Sequence, residues 1–249
     1  MLTHLDLFSG IGGFAVAAQM VGGIETTQFV EINPYCQKVL TERFPGVPIH
    51  DDITTFTAIP RQFDFITAGW PCTDISRANA RGKGLTGERS GLFFEIIRIL
   101  RNCRPRYLLL ENSPALLNFR GGRDMGAILW ELSACGYDAD WSIVSACSVG
   151  APHTRERLFI VAYPNGINGP VGLAVHPQHE ELLQAEYQKT GISPWSEAPP
   201  HSSGMVNGLS NRTHRVVGLG NAVVPQVAAI ALQKVLNMEA DRQWSQIRQ

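Results

Sequence analysis

The chain has 249 residues, 44% of them apolar and only 17% charged, with 24 glycines, 15 prolines and a net charge of −1. That supports one large domain, or one domain with a small appendage, and argues against disorder. The five cysteines, at 36, 72, 103, 135 and 147, are odd in number, widely spaced and never form a C-x-x-C pair, so neither a disulfide framework nor a four-thiolate zinc site follows from the pattern.

In chain order, short apolar runs at Leu2–Phe8, Thr27–Glu31, Phe63–Ala68, Arg106–Glu111 and Leu158–Ala162 predict strands. Helical spacing separates them. Phe14, Ala17, Ala18 and Val21 fall at i, i+3, i+4 and i+7 of a helix over Gly13–Val21. Helices are also predicted over Pro34–Phe44, Gly91–Leu100 and Gly121–Cys135; the third is apolar nearly all round and is expected to lie buried. The alternation predicts an α/β fold with a doubly wound, mostly parallel sheet. Residues 164–204 break the pattern with six prolines and three histidines, apart from a short helix at His179–Gln188. A last helix is expected over Asn221–Leu236, with Pro225 in its first turns. The expected organisation is an α/β domain over 1–162, a small irregular insert over 163–213, and a segment over 214–249 that returns to the domain. No apolar run nears the ~20 residues of a membrane span. The N-terminus lacks the basic and apolar regions of a signal peptide, so a reduced, intracellular protein is expected.

Charge is unevenly distributed. Residues 1–68 hold seven acids against three bases, and residues 74–106 hold eight bases against three acids. This suits a cationic ligand beside a polyanion, and equally an ordinary solvated surface.

Five segments carry candidate chemistry. Asp6-Leu7-Phe8-Ser9-Gly10-Ile11-Gly12-Gly13 is a strand entering a glycine turn and a helix, and Glu31 ends the next strand, where a carboxylate can accept both ribose hydroxyls of a nucleoside cofactor. Asp52-Ile53 offers an acid and an apolar wall to an adenine ring. The spacing is not G-x-G-x-x-G, and the acids favour a cationic sulfonium over a pyrophosphate, which points to S-adenosylmethionine; a merely structural turn remains the alternative. Gly69-Trp70-Pro71-Cys72 follows a strand, placing a thiol at the sheet edge that binds ligands, with bases after it to favour the thiolate. The other four cysteines are expected to be inert core residues. Glu111-Asn112-Ser113 ends a further apolar strand, where partial desolvation would let Glu111 act as an acid, although Asn-Ser-Pro also reads as a helix cap. His153-Thr154-Arg155-Glu156-Arg157 puts Arg155 and Arg157 on one face, for an anionic or carbonyl-bearing substrate or for internal ion pairs. Gly218-Leu219-Gly220-Asn221-Ala222 opens the last helix.

Together these segments resemble the DNA (cytosine-5)-methyltransferases over about 1–162 and 215–236. DLFSGIGGF is similar to the family's first cofactor motif, Glu31 and Asp52-Ile53 to its second and third, and GWPC to its Pro-Cys motif. GLFFEI is similar to the helix that follows, ENS to Glu-Asn-Val, HTRER to Gln-x-Arg-x-Arg, and GNAVVP to the C-terminal Gly-Asn segment. Ser113, His153 and Ile32 depart from the usual residues, and the insert is much shorter than a typical target-recognition region. The resemblance implies a Rossmann-like methyltransferase fold, S-adenosylmethionine as cofactor, no metal, and double-stranded DNA as partner with the target cytosine flipped out. It implies Cys72, Glu111, Arg155 and Arg157 as catalytic residues. Phe8, Gly10, Ile11, Gly13, Glu31, Ile32, Asp52, Ile53, Pro71, Leu92, Asn221 and Ala222 would line the cofactor. A compact, phage-like, monomeric enzyme of the cytoplasm is expected, with a short or relaxed recognition sequence read in part by Arg212, His214 and Arg215. A non-catalytic relative, an RNA methyltransferase and, remotely, a nicotinamide dehydrogenase are the competing readings.

Overall fold

Seven strands form one sheet in the order β3-β2-β1-β4-β5-β7-β6. The computed structural model describes residues 1–71, 90–166 and 222–247. Expectations for Cys72, the helix at His179–Gln188, Arg212, His214, Arg215 and Asn221 therefore lie outside the described residues.

β1 (Leu2–Leu7) is central because five of its six residues are buried; β2 (Ile24–Val30) and β4 (Phe65–Ala68) flank it in parallel. β3 (Ile49–His50) extends the sheet beyond β2, and β5 (Tyr107–Asn112), buried along its whole length, pairs in parallel with β4. β7 (Glu156–Pro164) then runs antiparallel between β5 and β6 (Tyr137–Ser145). The sheet is thus mostly parallel, with β7 the reversed strand. β6 adds a strand absent from the sequence reading; Tyr137, Ala139, Trp141 and Ile143 alternate with Asp138, Asp140 and Ser142 at the period of a strand, although at this sheet edge Trp141 and Ile143 are exposed.

Helices cover both faces. α1 (Gly13–Val21) and α5 (Pro225–Ile247) bury Phe14, Ala17, Ala18, Val227, Ala228 and Ala231 against Leu2, Phe65, Leu109 and Phe159. α2 (Pro34–Arg43) joins them through Leu40 and Phe44 on Phe29, and its start is fixed by Asn33, whose Oδ1 accepts the Tyr35 N–H at 2.9 Å. On the other face, α3 (Phe93–Cys103) and α4 (Arg123–Ala134) pack Ile96, Leu100, Ile128 and Leu132 over Leu5, Leu7, Ile66 and Leu110. α3 is not buried all round: Phe94 is 46% exposed and Arg98 is half-buried, because the side away from the sheet reaches solvent. α5 starts at Pro225 and runs to Ile247, past the expected end at Leu236. Its final turns are exposed, Trp244 and Ile247 included, except around Met238 and Glu239; Glu239 is held by Arg106 (Nη1, 2.8 Å), Arg242 and Gln243. Among the described residues, no helix is long and apolar enough to cross a membrane.

Candidate functional site

Parallel strands deliver their carboxyl ends to one edge of the sheet, and the candidate residues gather there in two groups. The first sits over β1 and β2. After β1 the chain turns at Phe8 and Gly10, both at positive φ (56° and 54°), which aims the Gly10 amide at Glu31. Glu31 Oε2 accepts that N–H at 2.7 Å, and its Oε1 accepts the Asn33 N–H at 2.8 Å. Burial raises the Glu31 pKa, while the N–H groups of Asn33, Gly10 and Ile32 work against the rise. Asp52 turns its carboxylate onto the Thr54 backbone and hydroxyl, which lower its pKa. Ile53 is buried beside it, and Arg98 of α3 fixes this loop by donating from Nη2 to the Ile53 carbonyl at 2.7 Å. Ile32, in contrast, is 71% exposed. Leu92 and Pro71 lie part-buried on either side of residues 72–89.

A nucleoside cofactor with a cationic sulfonium fits these residues. A Cβ built on Gly10 meets nothing within 4 Å, so the turn opens onto free space. Glu31 is anchored by backbone donors with lone pairs remaining for hydroxyls. The acids Glu31 and Asp52 suit a cation. At Gly13 a Cβ would lie 2.5 Å from Val223 Cγ1 and 2.8 Å from the Val223 carbonyl oxygen, so its bareness seats the C-terminal segment against α1. Ile11 is part-buried in the turn, and Ala222 is next to Val223.

The second group sits over β4, β5 and β7. Glu111 Oε1 pairs with Arg157 Nε at 2.7 Å, with both side chains largely buried. Burial pushes the Glu111 carboxyl up, and the charges of Arg157 and Arg155 pull it back. Arg155 Nη2 donates to the Ala222 carbonyl at 3.1 Å, tying this group to the returning chain. A Cβ on Gly69 would lie 3.1 Å from Glu111 Oε2, so the strand exit that leads through Trp70 and Pro71 to Cys72 runs directly beside the acid. Asn112 Nδ2 reaches the Trp70 carbonyl at 3.5 Å, while Ser113 caps the turn Pro114–Leu117 by accepting the Ala115 N–H. The structure therefore brings Glu111, Arg155 and Arg157 together beside Gly69 and Pro71.

The match to the family described as C-5 cytosine-specific DNA methylase runs over residues 2–199. The chain belongs to that family. Among its relatives, the Type II methyltransferase M.DsaV of Dactylococcopsis salina is 37% identical over 169 residues, which are 67% of this chain and 47% of the relative. M.HpaII of Haemophilus parainfluenzae is 38% identical over 173 residues, 67% of this chain and 48% of the relative. The chain thus spans about half the length of these curated relatives. The crystal structure of the S. pombe Dnmt2 methyltransferase shares the fold, with a TM-score of 0.55 and 21% identity over 81% of this chain and 58% of that one.

Two contributors escaped the sequence, Asn33 and Arg98, which brace Glu31 and Ile53; Gly69 is part of the quoted GWPC segment, but its making room for Glu111 is not visible there. Asn33 before Pro34 is a cap signal, but nothing local marks Arg98, whose partner is 45 residues away. Cys36, Cys103 and Cys135 are buried as expected. Cys147 is exposed instead, because it sits in the turn Ala146–Val149 at the open end of β6. Among the described residues, no cluster of His, Cys, Asp or Glu could hold a metal ion.

Proposed function

We propose that the chain transfers a methyl group from S-adenosylmethionine to carbon 5 of cytosine in DNA. The observation that carries this reading is the part-desolvated Glu111–Arg157 pair set against Gly69, on the strand exit that leads to Cys72. Glu31 would take the ribose hydroxyls and Asp52 the adenine amino group, with Ile53, Ile32 and Leu92 as apolar walls. The cofactor supplies an electrophilic methyl group when bound.

The remaining chemistry belongs to the chain. The Cys72 thiolate bonds to carbon 6 of the ring, and the displaced π electrons make carbon 5 nucleophilic. Glu111, whose burial raises its affinity for a proton, holds a proton at ring nitrogen 3, so that the ring can accommodate the electrons brought in by the thiolate. Arg157 orients Glu111 and faces the base carbonyl, and Arg155 supports the edge from the Ala222 side. Loss of the carbon-5 proton to a base, with departure of Cys72, restores the aromatic ring. Carbon 6 is inaccessible inside a duplex, so the cytosine must leave the stack. Residues 163–213 are assigned to target recognition, and the protein to a monomer in the cytoplasm of a bacterial or phage-infected cell.

Transfer of labelled methyl groups to duplex DNA, with matched RNA alongside, tests the reading. Label at carbon 5 of cytosine within one short DNA motif, abolished by Cys72→Ala, is expected. Activity retained in that variant would remove the nucleophile assignment, and label in RNA alone would move the substrate to RNA.

A further inference from the structure

The mechanism leaves unused the buried polar groups on the α1/α5 face of the sheet. Asp6, fully buried at the end of β1, accepts the Thr67 hydroxyl on Oδ1 at 2.7 Å. Among the described residues its Oδ2 has no hydrogen-bond donor. The Thr67 hydrogen is committed to Asp6, so the Thr67 oxygen accepts from His4 Nε2 at 2.8 Å, and His4 Nδ1 accepts from Thr26 at 2.9 Å. His4 is therefore the Nε2–H tautomer, and burial keeps it neutral by pulling its pKa down to about 3.

No described group around Asp6 supplies a positive charge. Glu31, across on β2, is another acid whose charge bears on Asp6. α1 offers Phe14, Ala17 and Ala18 to this face; on α5, Lys234 is tied to Asp140 and Glu239 to Arg106 and Arg242. Glu111, on β5 beyond Thr67, is paired with Arg157. An ionised carboxylate with one bare oxygen is costly in such a place. Burial, first of all, raises the Asp6 pKa to about 7, with the Thr67 bond opposing and Glu31 adding. Directly above lies the glycine turn, whose Ser9 hydroxyl donates to the Asp6 carbonyl at 2.6 Å and whose Gly10 amide holds Glu31.

We propose that Asp6 is a proton-exchanging counter-charge to the cofactor, holding a proton on Oδ2 in the ligand-free protein and releasing it when a cationic centre settles above the glycine turn. The O–H bond breaks, the proton passes to solvent, and the entering positive charge replaces it, so the site's net charge is unchanged. The inference rests on S-adenosylmethionine being the ligand. The cation is either its sulfonium or its ammonium group, and S-adenosylhomocysteine, which has only the latter, separates the two.

Calorimetric titration of both ligands at about pH 6.5, in buffers of different ionisation enthalpy, counts the protons released. The wild type is expected to release up to one proton that Asp6→Asn does not. Its affinity should climb by up to about tenfold per pH unit toward pH 7 and then level off, while Asp6→Asn loses that rise. Thr67→Val, which removes the donor that lowers the Asp6 pKa, should move the levelling-off to higher pH, and Thr67→Ser should restore it. Release with S-adenosylmethionine alone assigns the sulfonium; release with both ligands assigns the ammonium. Equal release from wild type and Asp6→Asn, or none from wild type, overturns the proposal. If neither ligand binds, the cofactor reading falls instead, and infrared detection of a protonated carboxyl in the ligand-free protein still decides. A band present in wild type at pH 6 and lost in Asp6→Asn upholds the proton on Asp6; its absence from wild type overturns it.

Discussion

Replacing Gly69 by Ala puts a methyl carbon 3.1 Å from Glu111 Oε2 and 3.8 Å from Phe14 Cε2. The second contact is ordinary; the first is short by a few tenths of an ångström. Glu111 cannot retreat freely, because its backbone is paired with Phe159 of β7 and its Oε1 is held by Arg157 Nε at 2.7 Å. The carboxyl must swing and loosen that pair, or the strand exit toward Cys72 must shift. Overpacking of this kind costs about 1–2 kcal/mol. A shift of a few tenths of an ångström in an acid that must meet a ring nitrogen should lower kcat by roughly tenfold. The KM for S-adenosylmethionine should change less than kcat, since the short contact falls on Glu111 and not on Glu31. Urea denaturation and single-turnover methyl transfer measure the two effects. Glu111→Ala removes the clashing oxygen, so Gly69→Ala should cost almost nothing in stability in that background. An equal cost in both backgrounds would show that the strain arises elsewhere and would refute the steric account.

Arg98→Met keeps the aliphatic stem but loses the bond to the Ile53 carbonyl and the half-exposed pair with Glu95; stability should drop by about 1 kcal/mol, and KM for S-adenosylmethionine should rise severalfold at nearly constant kcat, measured by steady-state kinetics. Glu239→Ala removes the carboxylate shared by Arg106 and Arg242, but both arginines reach solvent and Arg106 keeps Asp64, so it should cost about 1 kcal/mol in urea denaturation at neutral pH. Burial alone would raise the Glu239 pKa, but hydrogen bonds from Arg242 and Gln243 and the Arg106 charge take it down to about 2, so its contribution should fade as pH falls from the ordinary 4.5 through about 2. Asp6 behaves oppositely: its pKa rises from 3.8 to about 7, so its contribution is full below 3.8 and disappears as pH rises through about 7. That difference amounts to at most roughly 4 kcal/mol, and Asp6→Asn should gain on the wild type in stability by a similar amount between pH 4 and 8.

The parts of this molecule that the sequence discloses are those whose cause is local. α1 appears at its observed bounds because Phe14, Ala17, Ala18 and Val21 lie on one helical face, and β5 appears because Leu108, Leu109 and Leu110 are buried on both sides. Glu31, Glu111 and Arg157 are conspicuous as polar residues at the edges of apolar runs. The reversed direction of β7 is not local, since an apolar strand reads the same either way. Nor are the contacts that set the site's electrostatics: Thr67 meets Asp6 across 61 residues, and Gly69 meets Glu111 only because β4 and β5 are neighbours. β6 carries a local alternation, but Trp141 and Ile143 on its apolar side are exposed, so no continuous apolar run marks it.

The reversal of β7 also governs where the chain leaves the core and where it rejoins it. β7 begins at the edge that holds Arg157 and ends at Pro164 on the opposite edge; the chain next meets the described core at Ala222, bonded to Arg155 back at the first edge. Both anchor points are secured independently, by the β6–β7 ladder and by the burial of α5. The two ends of the core are therefore each held by contacts of the core itself, so the pairing of β7 and the seating of α5 do not depend on one another.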